Sequence, residues 1–273
     1  MTTPTRCKVM GILNVTTDSF SDGGQFLLVP NALAHADSML AAGADIIDIG
    51  GESTRPGAER VDADTEKQRV LPVVEDLASR GVAVSVDTMR ADVAAESVAR
   101  GATLINDVSG GLADPEMYSV MADARVDVCL MHWQADTFGN AAGAAHQPGH
   151  VVDDVRRGLD DLVTRATNAG VDPHRIILDP GLGFAKTAAD NWELLNALPE
   201  FVNSGFRILI GASRKRFLQA IRDERGAEPA PDIATTALTA LCAHHGAWAV
   251  RVHNVADNVD ATTVAHRMAT GKE

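Results

Sequence analysis

The chain has 273 residues, of which 45% are hydrophobic and 22% are charged, and its formal net charge is −13. These values are typical of a globular protein with a large core, and the negative charge argues against nucleic acid as a ligand. No apolar run approaches the roughly 20 residues of a membrane-spanning helix, and the first residues lack the apolar stretch of a signal peptide. We therefore expect a cytoplasmic protein. Cys7, Cys129 and Cys242 have no metal-binding spacing and are interpreted as small buried thiols.

Eight short apolar runs recur along the chain, and each ends on glycine or on a polar residue. They are rich in Val, Ile and Leu and mostly lack strict alternation, which is typical of parallel strands covered on both faces. In chain order they are CKVMGILN, ADIIDIGG, VAVSVDT, TLINDVSGG, VDVCLMHW, RIILDPGLGF, RILIGAS and WAVRVHN.

Segments with helical spacing separate these runs, and two of them end on Gly43 and Gly81, where glycine is a common C-cap. The predicted helices are NALAHADSMLAAG, TEKQRVLPVVEDLASRG, RADVAAESVARG, VVDDVRRGLDDLVTRATNAG, NWELLNALPEF, ATTALTALCAHHG and a last segment at 255–268. Repeated strand–helix units predict an α/β fold, a single-domain (β/α)8 TIM barrel over residues 1–273. A doubly wound open sheet is the alternative, although eight units favour closure.

Polar residues stand at the carboxyl ends of nearly all the predicted strands. In a TIM barrel these ends form the rim that carries the active site. A single polar residue after a strand is more often only a helix cap, but its repetition at almost every strand favours one shared site. The rim residues are Asn14, Gly50, Gly51, Asp87, Asn106, His132, Asp179, Ser213, Arg251 and His253.

Cationic residues gather at the same rim of an otherwise acidic chain. Arg55 lies in the loop GGESTRPGAER, and Lys215 lies in the loop GASRKRF. Together with Arg251 and His253 they predict an anionic ligand that bears phosphate. The alternative for the run at 214–216 is a solvated helix start.

Asp87, Asn106 and Asp179 form a second set, predicted to point into the barrel. Buried carboxylates need donors or a cation to offset their desolvation, so this set suits a flat heterocycle with several N–H groups. The histidines are not spaced as zinc ligands, and His146 lies in a Gly/Pro-rich connection without an evident partner. The loop DPGLGFAKT lacks the third glycine of a dinucleotide-binding fingerprint.

The motifs LNVTTDSFSDGG, IDIGGESTRPG, SVDT, INDVSGG, MHW, LDPGLGFAKT, GASRKRF and RVH run from the first strand to the last. Together they closely resemble the dihydropteroate synthase family. The resemblance implies a transferase that joins 6-hydroxymethyl-7,8-dihydropterin diphosphate to para-aminobenzoate and releases pyrophosphate. It also implies Mg²⁺ as cofactor and a homodimer, with no nucleic acid or membrane as partner.

The resemblance further implies a role for individual residues. The pterin ring and catalysis would fall to Asp87, Asn106, Asp179 and Lys215. The diphosphate would meet Asn14, Arg251 and His253, and the ligands of Mg²⁺ would be Asn14 and Asp22. The para-aminobenzoate pocket would comprise Phe20, Thr54, Arg55, Pro56 and Phe184, and Ser213 completes the substrate-binding set.

Two other functions stay open at this point. A pterin-binding methyltransferase domain that serves a corrinoid protein would share the acidic set but would need no diphosphate site. A non-catalytic pterin-binding paralogue would be expected to lack Asn14, Arg55, Lys215 or His253, and all four are present. Two positions depart from the family pattern: Thr17 stands where many relatives have proline, and Arg216 stands where serine is frequent.

Overall fold

Eight parallel strands pair in chain order, and the first also pairs with the last, so the sheet closes into a barrel. This computed structural model describes residues 5–16, 25–52, 61–134 and 146–271, without the side chains of residues 25–27. The predicted TIM barrel is confirmed, and the open sheet is excluded. In the described ranges, no helix has both the length and the apolar character needed to cross a bilayer.

The strands fall where the apolar runs predict them, although each is shorter than its run. They are β1 (Lys8–Asn14), β2 (Ile46–Gly50), β3 (Val84–Asp87), β4 (Leu104–Asp107), β5 (Asp127–Met131), β6 (Ile176–Asp179), β7 (Arg207–Ile210) and β8 (Ala249–Val252). Six of the ten predicted rim residues lie at or near the carboxyl ends of these strands, and the other four, Gly51, His132, Ser213 and His253, lie in the loops that follow them.

Helices pack around the outside of this barrel. They are α1 (Gln25–Ala41), α2 (Ala63–Ser79), α3 (Ala91–Ala99), α4 (Met117–Ala124), α5 (Val151–Asn168), α6 (Ala188–Asn196), α7 (Leu198–Val202), α8 (Arg216–Asp223), α9 (Pro231–His244) and α10 (Val255–Thr270). Gly43 and Gly81, the predicted C-caps, have φ of 94° and 77° after α1 and α2. Both predictions are confirmed, because these left-handed values favour glycine.

The sequence prediction is wrong for two helical segments. The segment NWELLNALPEF is not one helix but two, and the chain breaks at Ala197, just before Pro199 in the first turn of α7. Proline lacks the N–H that would continue the earlier helix and is favoured in a first turn, where that N–H has no partner within the helix. The short helix α4 was not predicted, and its eight residues are fewer than a clear helical period requires.

Two apolar layers form most of the core. One lies between the barrel and its helices and includes the inner faces of α2 and α5. The other fills the lower barrel interior with Met10, Ile46, Leu104, Cys129, Ile177, Leu209 and Ala249. Cys7, Cys129 and Cys242 are all buried and unpaired, as predicted. The lower barrel interior is therefore filled by side chains, and any open space for a ligand must lie nearer to the carboxyl ends of the strands.

Charged residues close the barrel at the amino ends of the strands. Arg207 donates to both carboxylate oxygens of Asp127, at 2.6 and 2.8 Å. Its guanidinium carbon also lies 5.1 Å from the ring centroid of Trp248, and the Lys8 ammonium lies 5.4 Å from the same ring. These contacts belong to the end of a barrel that serves stability rather than catalysis.

Candidate active site

The register of the first four strands places three predicted site residues in one row. Asn14 pairs with Gly50, Gly50 pairs with Asp87, and Asp87 pairs with Asn106. A Cβ on Gly50 would lie 3.6 Å from the Asp87 Cβ and 3.9 Å from the Asn14 Oδ1. Glycine at this position therefore leaves the space between the amide and the carboxylate open, and both polar groups border one part of the barrel mouth.

Arg251 joins the acids of the barrel interior. Its Nε donates to Asp48 Oδ2 and its Nη2 donates to Asp87 Oδ2, both at 2.6 Å. Asn106 also donates to Asp48, at 3.2 Å to Oδ2. The sequence predicts a cationic group at the lip that includes Arg251, whereas the structure places this guanidinium between two carboxylates.

Asp48 is the site residue that the sequence analysis missed. It is fully buried and lies in the middle of β2, flanked by apolar residues, instead of at the end of the strand. An aspartate inside an otherwise apolar strand is itself a signal, since a buried carboxylate must have a cation or donors nearby. The prediction failed because it considered only strand ends.

Burial determines the protonation chemistry of this cluster. It raises the pKa of Asp87 to about 7; Arg251 opposes this rise and the charge of Asp48 adds to it. Burial acts to lower the pKa of Arg251, but the carboxylates of Asp48 and Asp87 outweigh it and the pKa is raised. The guanidinium therefore stays charged, and the cluster keeps a permanent cation between its two acids.

Asp179, the last residue of β6, and Lys215, in the loop after β7, form the opposite part of the mouth. The backbone N–H of Gly181 donates to Asp179 Oδ1 at 2.7 Å, while a Cβ on Gly211 would lie 3.4 Å from Oδ2. Burial raises the pKa of Asp179, and Lys215 acts to lower it. The glycine leaves the space beside Oδ2 open to a ligand.

The Lys215 ammonium is buried beside an aromatic ring. It donates to the carbonyl oxygen of Leu182 and lies 4.6 Å from the ring centroid of Phe184. Burial lowers the pKa of Lys215 to about 8, against the effect of Asp179, which raises it. The predicted pair of Asp179 and Lys215 thus lies with Phe184 at one place.

Ser213 and His253 connect the ends of β7 and β8. Ser213 Oγ lies 2.9 Å from His253 Nδ1, and the backbone N–H of His253 donates to the same hydroxyl at 3.2 Å. His253 therefore lies at the mouth with its ring orientation fixed by the neighbouring loop, as its position in the sequence predicts.

Five predicted residues lie outside the described residues: Phe20, Asp22, Thr54, Arg55 and Pro56. The structure does describe both ends of the segment 53–60. Arg90 donates to Glu52 Oε2 at 2.9 Å, to Glu66 and to the carbonyl oxygen of Val61. One half-buried arginine thus holds the residues on either side of the segment that carries Thr54, Arg55 and Pro56.

His146 has a partner, contrary to the prediction. Its Nδ1 lies 3.1 Å from Asp154 Oδ2 on α5, and its ring centroid lies 5.6 Å from that of His132. Within the described part of the chain, no group of three or more His, Cys, Asp or Glu is arranged to hold a metal ion. His146 therefore contacts α5 and the His132 ring at the end of β5.

The comparisons with known proteins agree with this geometry. A family model described as pterin binding enzyme matches residues 10–253. A dihydropteroate synthase of Mycobacterium leprae (strain TN) is 51% identical over 263 residues, which cover 94% of this chain and 92% of that protein. The chain belongs to the dihydropteroate synthase family of pterin-binding enzymes. This membership makes it a transferase, as the resemblance implies.

Solved structures of the same family share the whole fold. The dihydropteroate synthase of Clostridium difficile, crystallised in the presence of pteroic acid, has a TM-score of 0.89 at 38% identity and covers 99% of both chains. The dihydropteroate synthase of Xanthomonas albilineans with 4-aminobenzoic acid has a TM-score of 0.87 at 42% identity, covering 96% of this chain and 93% of that one. The barrel described here is therefore the common dihydropteroate synthase barrel.

We expect Asp48→Asn to lower the free energy of unfolding by roughly 2–4 kcal/mol, because the half-buried Arg251 loses one of its two carboxylate partners. Urea denaturation of the two proteins measures this difference. Asp123→Asn, at an exposed position on α4, is the matched control and should change stability by no more than about 0.5 kcal/mol. Equal stability of Asp48→Asn and wild type would contradict the role of Asp48 as a partner of Arg251.

Proposed function

We propose that the protein is a dihydropteroate synthase, which condenses 6-hydroxymethyl-7,8-dihydropterin diphosphate with para-aminobenzoate to give 7,8-dihydropteroate and pyrophosphate. The observation that carries the proposal is the meeting of Asp179 and Lys215 with Asn106, Asp87 and Arg251 in one barrel mouth. The pteroic acid and 4-aminobenzoic acid of the neighbouring structures support the same substrates.

Asp179 supplies the contact that would orient the pterin. Its Oδ1 is held by the N–H of Gly181, and the space beside its Oδ2 is open at Gly211. A carboxylate fixed in this way can accept from both the exocyclic amine and the adjacent ring N–H of a pterin. Lys215, on the same side of the mouth, would donate to the acceptor atoms of the ring.

The acids also suit the charge that develops in the reaction. Cleavage of the methylene carbon–oxygen bond sends its electron pair to the diphosphate and leaves a cation delocalised over the pterin. Preorganised carboxylates at Asp87 and Asp179 would stabilise this cation more than the neutral substrate, which is the condition for catalysis. The amine of para-aminobenzoate then forms the new carbon–nitrogen bond and releases its proton to water, so no strong base is needed.

The para-aminobenzoate would lie beside Phe184 and the segment that carries Thr54, Arg55 and Pro56. Its carboxylate suits the N-terminus of α8, where free backbone N–H groups and the helix dipole favour an anion. Lys215 is the N-cap of this helix and makes no side-chain capping hydrogen bond there. Backbone donors are therefore available for the carboxylate even though Arg216 replaces the frequent serine.

Mg²⁺ is part of this proposal, with Asn14 and Asp22 as its protein ligands. Asn14 fits, because its amide oxygen stands at the mouth near Asp87 and Mg²⁺ prefers hard oxygen ligands and keeps several waters. When bound, the ion would neutralise charge on the departing diphosphate. Arg251 would contribute further positive charge to the same group, and His253 would contribute a hydrogen bond.

Pyrophosphate release distinguishes a dihydropteroate synthase from the two other candidate functions. With the pterin diphosphate, para-aminobenzoate and Mg²⁺, we expect turnover that depends on para-aminobenzoate, because the acceptor completes the reaction. Asp179→Asn should lower kcat/KM by roughly 100-fold or more, the cost typical of one lost preorganised charged contact, whereas Asp123→Asn should not change it. Pterin binding without pyrophosphate release would instead identify a non-catalytic paralogue or a methyltransferase domain.

Pterin affinity should fall as the pH rises through about 8. Lys215, whose ordinary pKa of 10.5 is lowered to about 8, is protonated below that pH and loses its charge above it. The affinity for a pterin, measured by calorimetry between pH 7 and 9.5, should therefore show a transition near pH 8. Lys215→Met should bind more weakly at pH 7 and should lack the transition; a transition that persists in this variant would assign it to another group.

We also propose a homodimer formed through α9 and α10, which pack against each other. Four large apolar side chains are exposed on these helices: Ile233, Leu241, Val264 and Met268. Sedimentation equilibrium should give twice the mass of one chain, and Leu241→Asp should weaken the dimer by burying a charge. Leu112→Asp, at an exposed leucine after β4, is the control and should remain dimeric; a monomeric wild type would contradict this part.

The three cysteines support the cytoplasm as the proposed location. Each is buried and none forms a disulfide. Unpaired thiols are usual in compartments that keep cysteines reduced.

A further inference from the structure

Lys186 is a buried lysine that the reaction described above does not use. It follows β6 in the turn between Asp179 and α6, and only 8% of the residue is exposed. Its ammonium donates to the carbonyl oxygens of Phe184 at 3.1 Å and His132 at 3.3 Å, and it lies 3.3 Å from His132 Nδ1. An ammonium has three donors and no acceptor, so the site offers one acceptor for each donor if the imidazole is neutral.

His132 is neutral at this position. Burial, helped by the positive charge of Lys186, lowers its pKa to about 3. The contact with the ammonium requires an unprotonated Nδ1, which assigns the ring proton to Nε2. The ring is fixed against α5, since a Cβ on Gly158 would lie 2.4 Å from its Cδ2. His132 is therefore a rigid acceptor.

The turn after β6, which carries Lys186, also fixes the position of Asp179. The backbone N–H of His132 donates to the Asp179 carbonyl oxygen at 2.9 Å, and the N–H of Gly181 donates to the Asp179 carboxylate at 2.7 Å. A Cβ on Gly181 would lie 3.3 Å from the Lys186 ammonium and 2.0 Å from the His132 carbonyl oxygen. The cation thus lies directly against the turn that fixes the carboxylate.

We propose that Lys186 is a positioning residue for pterin recognition. Its ammonium joins the turn after β6 to the end of β5 and keeps Asp179 ionised as a hydrogen-bond acceptor. The inference rests on the proposed function, because it concerns the Asp179 contact with the pterin. Lys186 would act through Asp179 and would not touch the substrate.

The charges around these two residues define the pH range in which Lys186 matters. Asp179 faces Lys215, Lys186 and Arg251, all of which lower its pKa against the effect of burial. Burial is the largest effect on Lys186 and, together with the charge of Lys215, lowers its pKa. Asp179 and Asp190 oppose this change, and the resulting pKa is about 7. Lys186 is therefore charged below neutral pH, where Asp179 would otherwise take up a proton.

The test is the pH dependence of 6-hydroxymethylpterin binding between pH 5 and 7.5, measured by calorimetry. In the wild type, affinity should fall only at the acid end, where Asp179 becomes protonated. In Lys186→Met the midpoint of this fall should rise by about one pH unit or more, the effect of losing a nearby opposite charge. Below both midpoints this gives about tenfold weaker binding relative to the difference at pH 7.5, since one pKa unit is a factor of ten.

Two further variants separate charge from packing. Lys186→Gln keeps N–H donors without the charge and should show the raised midpoint, so it also serves if the methionine variant does not fold. Lys186→Arg keeps the charge and should restore the wild-type midpoint. Uniformly weaker binding with an unchanged midpoint in both neutral variants would overturn the inference. Absence of pterin binding by the wild type at every pH would contradict the proposed function itself, and the inference with it.

Discussion

The ion pairs of Arg251 are the interaction on which the barrel mouth depends. Two carboxylates, Asp48 and Asp87, enter the barrel interior from adjacent strands, and neither could remain ionised there without a partner. The guanidinium from β8 contacts both at 2.6 Å. This contact connects the last strand to the second and third across the interior. It also holds charge in place before a ligand arrives, so little reorganisation is required when the reaction begins.

The mouth uses two different cations for its two acidic regions. On the side of β2, β3 and β8 the cation is an arginine, which stays charged at any pH the protein meets. On the side of β6 and β7 it is a pair of lysines, Lys186 and Lys215, whose pKa values are lowered by burial to about 7 and about 8. The cation of the first region is therefore constant, whereas the cations around Asp179 depend on pH in the neutral range.

Glycine at two positions makes room between these regions. A side chain at Gly50 would fill the space between Asn14 and Asp87, and one at Gly211 would lie against the carboxylate of Asp179. Below these glycines the barrel interior is filled by apolar side chains, among them Met10 and Leu104. The barrel thus combines a solid floor with polar walls, which is the arrangement expected where a flat polar ligand must bind without disturbing the core.

Sequence patterns predicted some residues of the site better than others, for physical reasons. Asn106 and Asp179 were found because a polar residue at the end of an apolar run contrasts with its neighbours. Asp48 was not found, because it interrupts a strand that otherwise reads as core. The break between α6 and α7 was also missed. It follows from the missing N–H of a single residue, Pro199, whereas the helical pattern of apolar residues continues across the break.

By itself, the sequence determined the strand–helix alternation, the closed barrel and the family, because these depend on local periodicity and on motifs that lie within single loops. Only the tertiary structure decided which acid meets which cation. Arg251 and Asp48 are 203 positions apart, and in a closed barrel each strand end faces several others. The spacing of residues along the chain therefore carries no information about the pairing, which is set by strand order, register and the reach of each side chain.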